Sequence, residues 1–156
     1  MSQNSNGIDV VAGDPREPQA TALLQASHAL MQQLFSEEEN HYLSIDELCI
    51  PSIRFLVAKE GDTTLGCVAL ANKGAYGEIK SMFVDPAARG KGISHKLMQH
   101  LDAAARAQGL AEIKLETGDK LTEAHSLYRA HGFVDCGPFG EYEANSSSIF
   151  MTKTLD

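Results

Sequence analysis

The sequence has few of the residues that mark disulfide frameworks and metal sites. Its 156 residues include no tryptophan and only three cysteines, Cys49, Cys67 and Cys136. An odd number of cysteines without close spacing argues against a disulfide framework. The six histidines form no His-Glu-x-x-His motif and no cluster with cysteine. We therefore expect buried, reduced thiols and no metal ion.

Long apolar runs and a targeting segment are also missing. The apolar stretches are far too short to span a bilayer, and residues 1–15 lack the basic and apolar regions of a signal peptide. We therefore expect a cytoplasmic protein that is not inserted in a membrane. The length and the 43% of hydrophobic residues fit a single domain, residues 1–156, with its own core.

Cationic residues are scarce and unevenly placed. The chain has 13 lysine and arginine residues against 21 aspartate and glutamate residues, which gives a formal net charge of −8. Such a chain lacks the basic surface that binds nucleic acid by releasing counterions. Several cations nevertheless fall in the middle of the chain, at Lys80, Arg89, Lys91, Lys96 and Arg106. A local basic site favours a small anionic ligand, and a solvated charged face is the alternative.

Hydrophobic periodicity predicts a mixed α/β sheet. Residues 1–17 have the composition of a loop, with a short strand at 8–11. Apolar positions three and four residues apart predict a helix over 18–35, and Ser44 and Glu47 have the capping-box spacing of a short second helix. Later helices are predicted from Gly92 to about Gly109 and over 122–131. Strands are predicted over 52–59, 63–71, 76–84, 111–117, 132–137 and 147–155. The strand–helix–strand order in the second half indicates a parallel crossover.

The segment VDPAARGKGIS, residues 84–94, places two glycines and two cations between a strand and a helix. It does not match the phosphate-binding loop GxxxxGK[ST], and His95 stands where a dinucleotide-binding fingerprint requires a third glycine. The first N–H groups of the helix have no partner within the helix, and glycines let a ligand approach the backbone closely. The corner is therefore a candidate phosphate or pyrophosphate site, and a glycine-rich turn with exposed cations is the alternative.

Two motifs make the sequence similar to the GCN5-related N-acetyltransferases, the GNAT family. The corner resembles the family's motif A, Gln/Arg-x-x-Gly-x-Gly/Ala, with Arg89, Gly92 and Ser94 at its defined positions. Downstream, EAHSLYRAHGF resembles the family pattern Ala-x-x-Leu-Tyr-x-x-x-Gly-Phe, which starts here at Ala124. The resemblance extends from about residue 18 to residue 156 and is to the bacterial small single-domain type. It implies the GNAT fold, a mixed sheet (α+β) of about six to seven strands flanked by about four helices.

The resemblance implies that the protein moves the acetyl group of acetyl-CoA to a primary amine by direct attack in a ternary complex. The glycine corner would hold the pyrophosphate of this co-substrate through Arg89, Gly90, Lys91, Gly92, Ile93 and Ser94. Backbone groups of Met82, Phe83 and Val84 would pair with the pantetheine arm as an added strand does. A bulge near this point would splay the strand and offer an N–H to the thioester carbonyl.

The chain departs from the family pattern at two positions. Ser94 replaces the small Gly/Ala of motif A and keeps its backbone N–H. Leu121 stands where many members have an asparagine that contacts the pantetheine arm. The second departure removes one hydrogen bond to the co-substrate and leaves the pyrophosphate site intact.

Two residues are candidates for proton transfer. Glu78 would act as the base that deprotonates the amine through a water molecule, and strand alternation groups it with Lys80 and Met82. Lys80 would hold the carboxylate ionised or form a salt bridge with it. Tyr128 would protonate the departing thiolate. The structural alternatives are a surface carboxylate at position 78 and an ordinary core tyrosine at position 128.

The sequence predicts the acceptor site less precisely than it predicts the site for acetyl-CoA. The resemblance assigns it to about residues 34–49 and to the loop 139–148, where Phe139 and Tyr142 are candidate substrate-binding residues. The acidic run at residues 37–39, with His41, would attract a cationic amine. A small-molecule amine is the favoured acceptor, and a peptide or protein amine comes next. A non-catalytic acyl-CoA sensor is the alternative function. The late strands are compatible with a homodimer.

Overall fold

The computed structural model describes residues 7–156, so the part of the predicted amino-terminal loop at residues 1–6 lies outside the described residues. Within that range three α-helices are present, α1 (Pro18–Leu34), α2 (Ile93–Ala107) and α3 (Thr122–Ala130). None of these helices is long and apolar enough to cross a bilayer. The strands are β1 (Ile8–Ala12), β2 (Ile53–Glu60), β3 (Thr63–Asn72), β4 (Gly77–Val84), β5 (Glu112–Gly118), β6 (Val134–Cys136) and β7 (Ser148–Thr154).

These strands form one sheet in the order β1-β2-β3-β4-β5-β7-β6. β4 and β5 pair in parallel across the connection made by α2, and the other neighbouring pairs are antiparallel. The mixed sheet predicted from periodicity is therefore confirmed, and so is its parallel crossover. The crossover brings the carboxyl ends of β4 and β5 to the same edge of the sheet, where the predicted site residues lie.

Each face of the sheet buries its own apolar cluster. The larger cluster lies beneath α2 and α3 and includes Leu70, Ile79, Leu97, Leu101, Ile113, Leu115, Tyr128 and Met151. The smaller cluster lies beneath α1 and includes Ala20, Leu24, Phe55, Val57, Cys67 and Ala69. Cys67 is fully buried as predicted, and burial raises the pKa of its thiol to about 12. Cys49 and Cys136 are free as well but only half-buried.

The prediction of a second α-helix beginning at Ser44 is wrong, because this segment forms a 3₁₀ turn instead. The two residues do form the reciprocal bonds of a capping box, with Glu47 N–H donating to Ser44 Oγ at 3.1 Å and Ser44 N–H donating to the Glu47 carboxylate at 2.8 Å. The turn they begin is a single 3₁₀ turn, Glu47–Cys49. It ends there because Pro51 biases Ile50 toward the extended backbone that it adopts. Residues 7–156 therefore hold three α-helices rather than about four.

A β-bulge interrupts β4 beside the predicted site. Ala69 of β3 lies opposite Lys80 and Cys67 lies opposite Phe83, so Ser81 and Met82 share a single position across from β3. This arrangement of two residues against one is the defining feature of a bulge. Ser81 has a φ of +57°, outside the usual range for a strand residue.

The bulge corrects one prediction about the faces of β4. Strict alternation placed Met82 on the same face as Glu78 and Lys80. The extra residue shifts the alternation by one position, and Met82 instead packs against the cluster beneath α2. Lys80 lies across from Ala69, which belongs to the cluster beneath α1. The grouping of Met82 with Glu78 was therefore wrong, because sequence alternation cannot include an unseen bulge.

Candidate active site

A cleft opens where β4 and β5 separate. The two strands pair at Gly77 with Ile113 and at Glu78 with Lys114, and their pairing ends there. We call the space beyond this point the cleft. Its walls include residues 79–82 of β4, residues 116–118 of β5, and Leu121 and Tyr128 on the side of α3. The splaying of β4 that the family resemblance implied is present, and the bulge lies on the cleft wall.

Met82, Phe83 and Val84, which were predicted to pair with a pantetheine arm, form the last part of β4. The N–H of the next residue, Asp85, donates to the carbonyl of Leu65 in β3 at 2.8 Å. Backbone groups point alternately to the two sides of a strand, so Phe83 also directs its groups toward β3. Met82 and Val84 direct theirs toward the cleft. Two of the three predicted residues thus offer backbone hydrogen-bonding groups to a ligand there.

The glycine corner keeps its backbone open to solvent. Gly90 and Gly92 have φ values of +85° and +72°, which favour glycine, and Gly92 is the residue before α2. A Cβ built at either glycine meets no atom within 4 Å. Ile93 begins α2 and is buried in the core, which fixes the start of the helix. Ser94 follows it in the first turn, so the first N–H groups of α2 face an open corner.

The cations of the middle of the chain do not all gather at this corner. Arg89 and Lys91 are exposed there, and Lys91 Nζ lies 3.3 Å from a Glu60 carboxylate oxygen. Lys80 is not part of the corner and instead forms an ion pair with Glu78 on β4. Arg106 is paired with acidic side chains near the far end of α2. The local basic site predicted from the sequence is therefore smaller than the clustering along the chain suggested.

Glu78 is a buried carboxylate with two partners. Its side chain is 5% exposed, accepts a hydrogen bond from the Tyr142 hydroxyl and lies 3.4 Å from Lys80 Nζ. Lys80 Nζ also donates to the Tyr142 hydroxyl at 2.7 Å and to the His41 carbonyl at 2.8 Å. The expected ion pair with Lys80 is present. The alternative of a solvated surface carboxylate is wrong, because the group is buried and held in one orientation.

Tyr128 lies on the cleft wall on the α3 side. It is 6% exposed and packs edge-on against Phe133, with 5.9 Å between the ring centroids. Burial, helped by the negative charge of Glu116, raises the pKa of the Tyr128 phenol above its ordinary value. The hydroxyl is therefore protonated at neutral pH. A buried phenol that borders a cleft is chemically able to donate its proton there.

A second and larger cavity adjoins the first. This outer cavity, of about 850 Å³, is bounded by residues 38–39 and 41–43 on one side and 140–147 on the other, with Glu78 and Lys80 in its wall. The two bounding segments fall within those that the resemblance assigned to the acceptor. Lys80, His41 and Ser147 line both the outer cavity and the cleft. A molecule in the outer cavity would therefore be adjacent to one in the cleft.

Acidic side chains outnumber cationic ones around the outer cavity. Its lining includes the carboxylates of Glu38, Glu39, Glu78, Glu141 and Glu143 against the cations of Lys73 and Lys80. A cavity with this balance attracts a cationic ligand. Two of the three residues in the acidic run 37–39 contribute to the lining, while Glu37 lies outside it.

Tyr142 and Phe139 have different positions in the loop between β6 and β7. Tyr142 lines the outer cavity, whereas Phe139 lies behind it, 5.1 Å from the Tyr142 ring and 5.8 Å from the Phe150 ring. Burial, with the hydrogen bond to Glu78, raises the pKa of the Tyr142 phenol. Its proton is committed to Glu78, so its hydroxyl can only accept a further hydrogen bond.

Two site residues were not singled out from the sequence. Glu116 lines the cleft, accepts a hydrogen bond from Ser148 Oγ at 2.7 Å and lies 3.5 Å from His41 Nδ1. Alternation in β5 would have placed the Glu116 side chain on the face opposite the core, because its neighbours Leu115 and Thr117 are buried residues of the strand. Ser81 had no such signal, because its position depends on the bulge. No group of three or more potential metal ligands occurs among residues 7–156.

Comparison with known proteins agrees with this arrangement. A sequence model of the acetyltransferase (GNAT) family matches residues 22–133. An IAA acetyltransferase of Azospirillum brasilense is 39% identical over 150 residues, which cover 95% of this chain and 98% of that protein.

Solved structures share the fold. One from Klebsiella pneumoniae, provisionally described as an acyl-CoA N-acyltransferase, has a TM-score of 0.80 at 26% identity and covers 96% of this chain and 98% of that one. The structure of yncA from Salmonella typhimurium with acetyl-CoA has a TM-score of 0.73 at 18% identity, over 97% of this chain and 95% of that one.

The family match assigns this split sheet, with its glycine corner and two adjoining cavities, to the class of acyl-group transferases. The chain belongs to the acetyltransferase (GNAT) family, and it is an acyl-CoA-dependent N-acetyltransferase. The family and the fold predicted from the two sequence motifs are thereby confirmed. The roles of the individual site residues stay predictions.

Proposed function

We propose that this protein transfers the acetyl group of acetyl-CoA to a primary amine of a small molecule, by direct attack in a ternary complex. The observation that carries the proposal is the division of the two candidate proton-transfer groups between adjoining cavities. Glu78 faces the outer cavity and Tyr128 faces the cleft. An acceptor and an acyl donor bound in the two cavities would meet between a base and an acid.

Acetyl-CoA suits the cleft by its chemistry. The open N–H groups from Gly92 to Ser94 and the exposed charge of Arg89 are suited to a pyrophosphate. The free backbone groups of Met82 and Val84 are suited to the amides of a pantetheine arm. The arm would then lead the thioester to the point where β4 and β5 separate.

Each proton in the proposed reaction has a group to move it. An alkyl amine is mostly protonated at neutral pH, and Glu78 takes its proton through a water molecule. The amine nitrogen then attacks the carbonyl carbon of the thioester, a C–N bond forms and the C–S bond breaks. Tyr128 gives its proton to the departing sulfur. The nitrogen, positively charged after its attack, loses its extra proton, and this proton restores the Tyr128 phenol. The products are an N-acetylated amine and the free thiol of CoA.

The outer cavity supports a small cationic acceptor. Its volume of about 850 Å³ falls in the range typical of small-molecule sites, and its lining is acidic on balance. A peptide amine is the next candidate. The relative from Azospirillum brasilense is named for a different compound, IAA. A test of acceptors should therefore include IAA.

A thiol-release assay tests the proposal. Purified protein is given acetyl-CoA and a panel of small amines, basic peptides and IAA, and the free thiol is measured over time. We expect saturable, amine-dependent release that is greatest for a small cationic amine. A protein that binds acetyl-CoA in calorimetry but releases no thiol with any acceptor would be an acyl-CoA sensor, and the proposal would be wrong.

Three broader features complete the proposal. One sheet joins all the strands of residues 7–156, which supports a single acetyltransferase domain. A cytoplasmic location and a homodimer stay predictions from the sequence. Cell fractionation tests the first, and light scattering of the purified protein tests the second.

Substitution of Gly92 tests the pyrophosphate site. Gly92→Val should lower the affinity for CoA by about tenfold or more, because a side chain would fill the open corner. Gly109→Val is the matched control, since Gly109 follows the other end of α2 with a φ of +73° and equally open surroundings. Both variants carry the same backbone strain. Equal CoA affinities in calorimetry for two folded variants would exclude the corner as the binding site.

Substitution of Tyr142 tests the acceptor loop. Tyr142→Phe keeps the ring that packs on Phe139 and Phe150 and removes only the hydroxyl, whereas Tyr142→Ala removes both. If the loop selects the acceptor, Tyr142→Ala should raise KM for the amine about tenfold and leave KM for acetyl-CoA nearly unchanged. Equal rises in both constants, accompanied by a lower melting temperature, would instead identify a structural loop.

A further inference from the structure

Ser81, the extra residue of the β4 bulge, is unusual in two independent ways. Among the described residues it is the one non-glycine residue with a positive φ, +57°, a conformation that is costly for a residue with a Cβ. Its Oγ is also buried without a hydrogen-bond partner. Buried hydroxyls nearly always have a partner, so both features disfavour folding. Unfavourable features of this kind concentrate at functional sites.

The position of Ser81 connects these features to the reaction. Ser81 belongs to the β4 wall of the cleft, between Lys80 and Met82. Its carbonyl oxygen accepts a hydrogen bond from the thiol of the fully buried Cys67, at 3.4 Å, which holds the bulge from the β3 side. The conformation of Ser81 is therefore supported by the core, while its hydroxyl lacks a partner beside the cleft.

Acyl transfer also requires stabilisation of negative charge on the carbonyl oxygen, which neither proton-transfer group provides. Glu78 serves the attacking nitrogen and Tyr128 serves the departing sulfur. Negative charge also develops on the carbonyl oxygen, and hydrogen-bond donors placed beforehand at that oxygen are among the largest contributions to catalysis. A hydroxyl that has no partner in the protein, on a residue that lines the cleft, is a candidate for such a donor.

We propose that the Ser81 hydroxyl donates a hydrogen bond to the carbonyl oxygen of the bound acetyl thioester and stabilises the charge that develops there. The proposal rests on the proposed function, because it requires acetyl-CoA in the cleft. Ser81 acts beside the backbone N–H groups of the bulge and keeps its proton throughout, because Tyr128 supplies the proton that the departing sulfur takes.

Two variants separate the hydroxyl from the backbone strain. Ser81→Ala and Ser81→Gly both remove the donor, but glycine adopts a positive φ without strain and alanine does not. Ser81→Gly should therefore melt at a higher temperature than Ser81→Ala. Both should lose the same factor in kcat, about 10²- to 10³-fold, with little change in KM for acetyl-CoA. Wild-type kcat in Ser81→Gly, or losses that follow the melting temperature, would overturn the proposal.

Infrared difference spectroscopy detects the same hydrogen bond without requiring transfer of the acetyl group. Acetyl-CoA labelled with ¹³C at the thioester carbonyl is bound to each protein, and the frequency of the carbonyl band is compared. A hydrogen bond weakens the C=O bond, so the band should move to higher frequency in both variants. Affinity for free CoA, which has no acyl carbonyl, should be unchanged in calorimetry. An unmoved band in both variants would overturn the proposal.

The spectroscopic test also distinguishes this inference from the proposed function. If the band moves but the wild-type protein releases no thiol with any amine, the hydrogen bond stands and the transfer reaction is wrong. If thiol is released but the band does not move, the reaction stands and the role of Ser81 is wrong. A protein that binds no acetyl-CoA would refute both.

Discussion

Replacing Tyr128 by phenylalanine is expected to lower kcat by about 10²- to 10⁴-fold, the range for loss of a general acid or base. The phenol is the candidate proton donor in the cleft, and without it the sulfur must leave as an unprotonated thiolate. Phenylalanine keeps the ring that packs on Phe133, so the melting temperature should change little. Affinity for CoA, measured by calorimetry, should also change little, which separates lost chemistry from lost binding.

The pH dependence gives a second check on Tyr128. Its pKa is raised above the ordinary tyrosine value of about 10, so the acid stays protonated up to and beyond that pH. The wild-type rate should therefore not fall between about pH 8 and pH 10 through loss of this proton. Ser126→Ala is the control, because it removes an exposed hydroxyl of the same helix that donates to the Thr122 carbonyl at 3.3 Å and lines neither cavity, and its kcat should change less than about threefold. Near-normal kcat in Tyr128→Phe would make Tyr128 an ordinary core tyrosine.

The order of the elements was predictable because each element carries a local signal. Apolar residues at helical spacing defined α2, and Gly92 and Gly109 marked its two ends. The parallel crossover followed from the order strand, helix, strand. The glycine corner could be placed for the same reason, since it needs only a strand that ends where a helix begins.

The bulge in β4 could not be predicted, because it is a property of two strands together. Its position is defined by the pairing of Phe83 with Cys67 and of Lys80 with Ala69, residues that are distant in sequence. Periodicity assumes strict alternation and therefore placed Met82 on the wrong face. The buried hydroxyl of Ser81 was invisible for the same reason.

The surroundings of Glu78 also depend on contacts between distant segments. Tyr142, which donates to Glu78, lies 64 residues later in the chain. Lys80 could be proposed as a partner because it is two residues away on the same strand. The His41 carbonyl that also binds Lys80 comes from a segment without regular secondary structure, whose path no periodic pattern specifies.

Replacing Glu78 by glutamine is expected to lower kcat/KM at neutral pH by about 10²- to 10⁴-fold. Glutamine has the same size and can still accept the hydrogen bond from Tyr142, but it cannot take a proton from the amine. The variant would depend on amine that is already neutral. For an alkyl amine with a pKa near 10.4, that fraction rises about tenfold per pH unit below the pKa. The deficit should therefore be largest at low pH and should shrink as the pH rises, which a pH–rate profile measures.

Stability must be separated from chemistry in this variant. Glu78→Gln leaves the ammonium of Lys80, whose side chain is only 12% exposed, without its counter-charge, which should cost about 3 kcal/mol of unfolding free energy. Adding Lys80→Met removes the uncompensated charge and should recover stability. The steep pH dependence should remain in the double variant, because the base is still missing.

Glu116→Gln is the matched control for Glu78→Gln, and it tests the competing base. Glu116 also carries a carboxylate at the site, on the wall of the cleft and 3.5 Å from His41 Nδ1. If Glu78 is the base, Glu116→Gln should keep the wild-type shape of the pH–rate profile. If the steep dependence on pH appears instead in Glu116→Gln and is absent from Glu78→Gln, the base is the Glu116–His41 pair. Glu78 would then serve only to hold Lys80 and Tyr142 in the wall of the outer cavity.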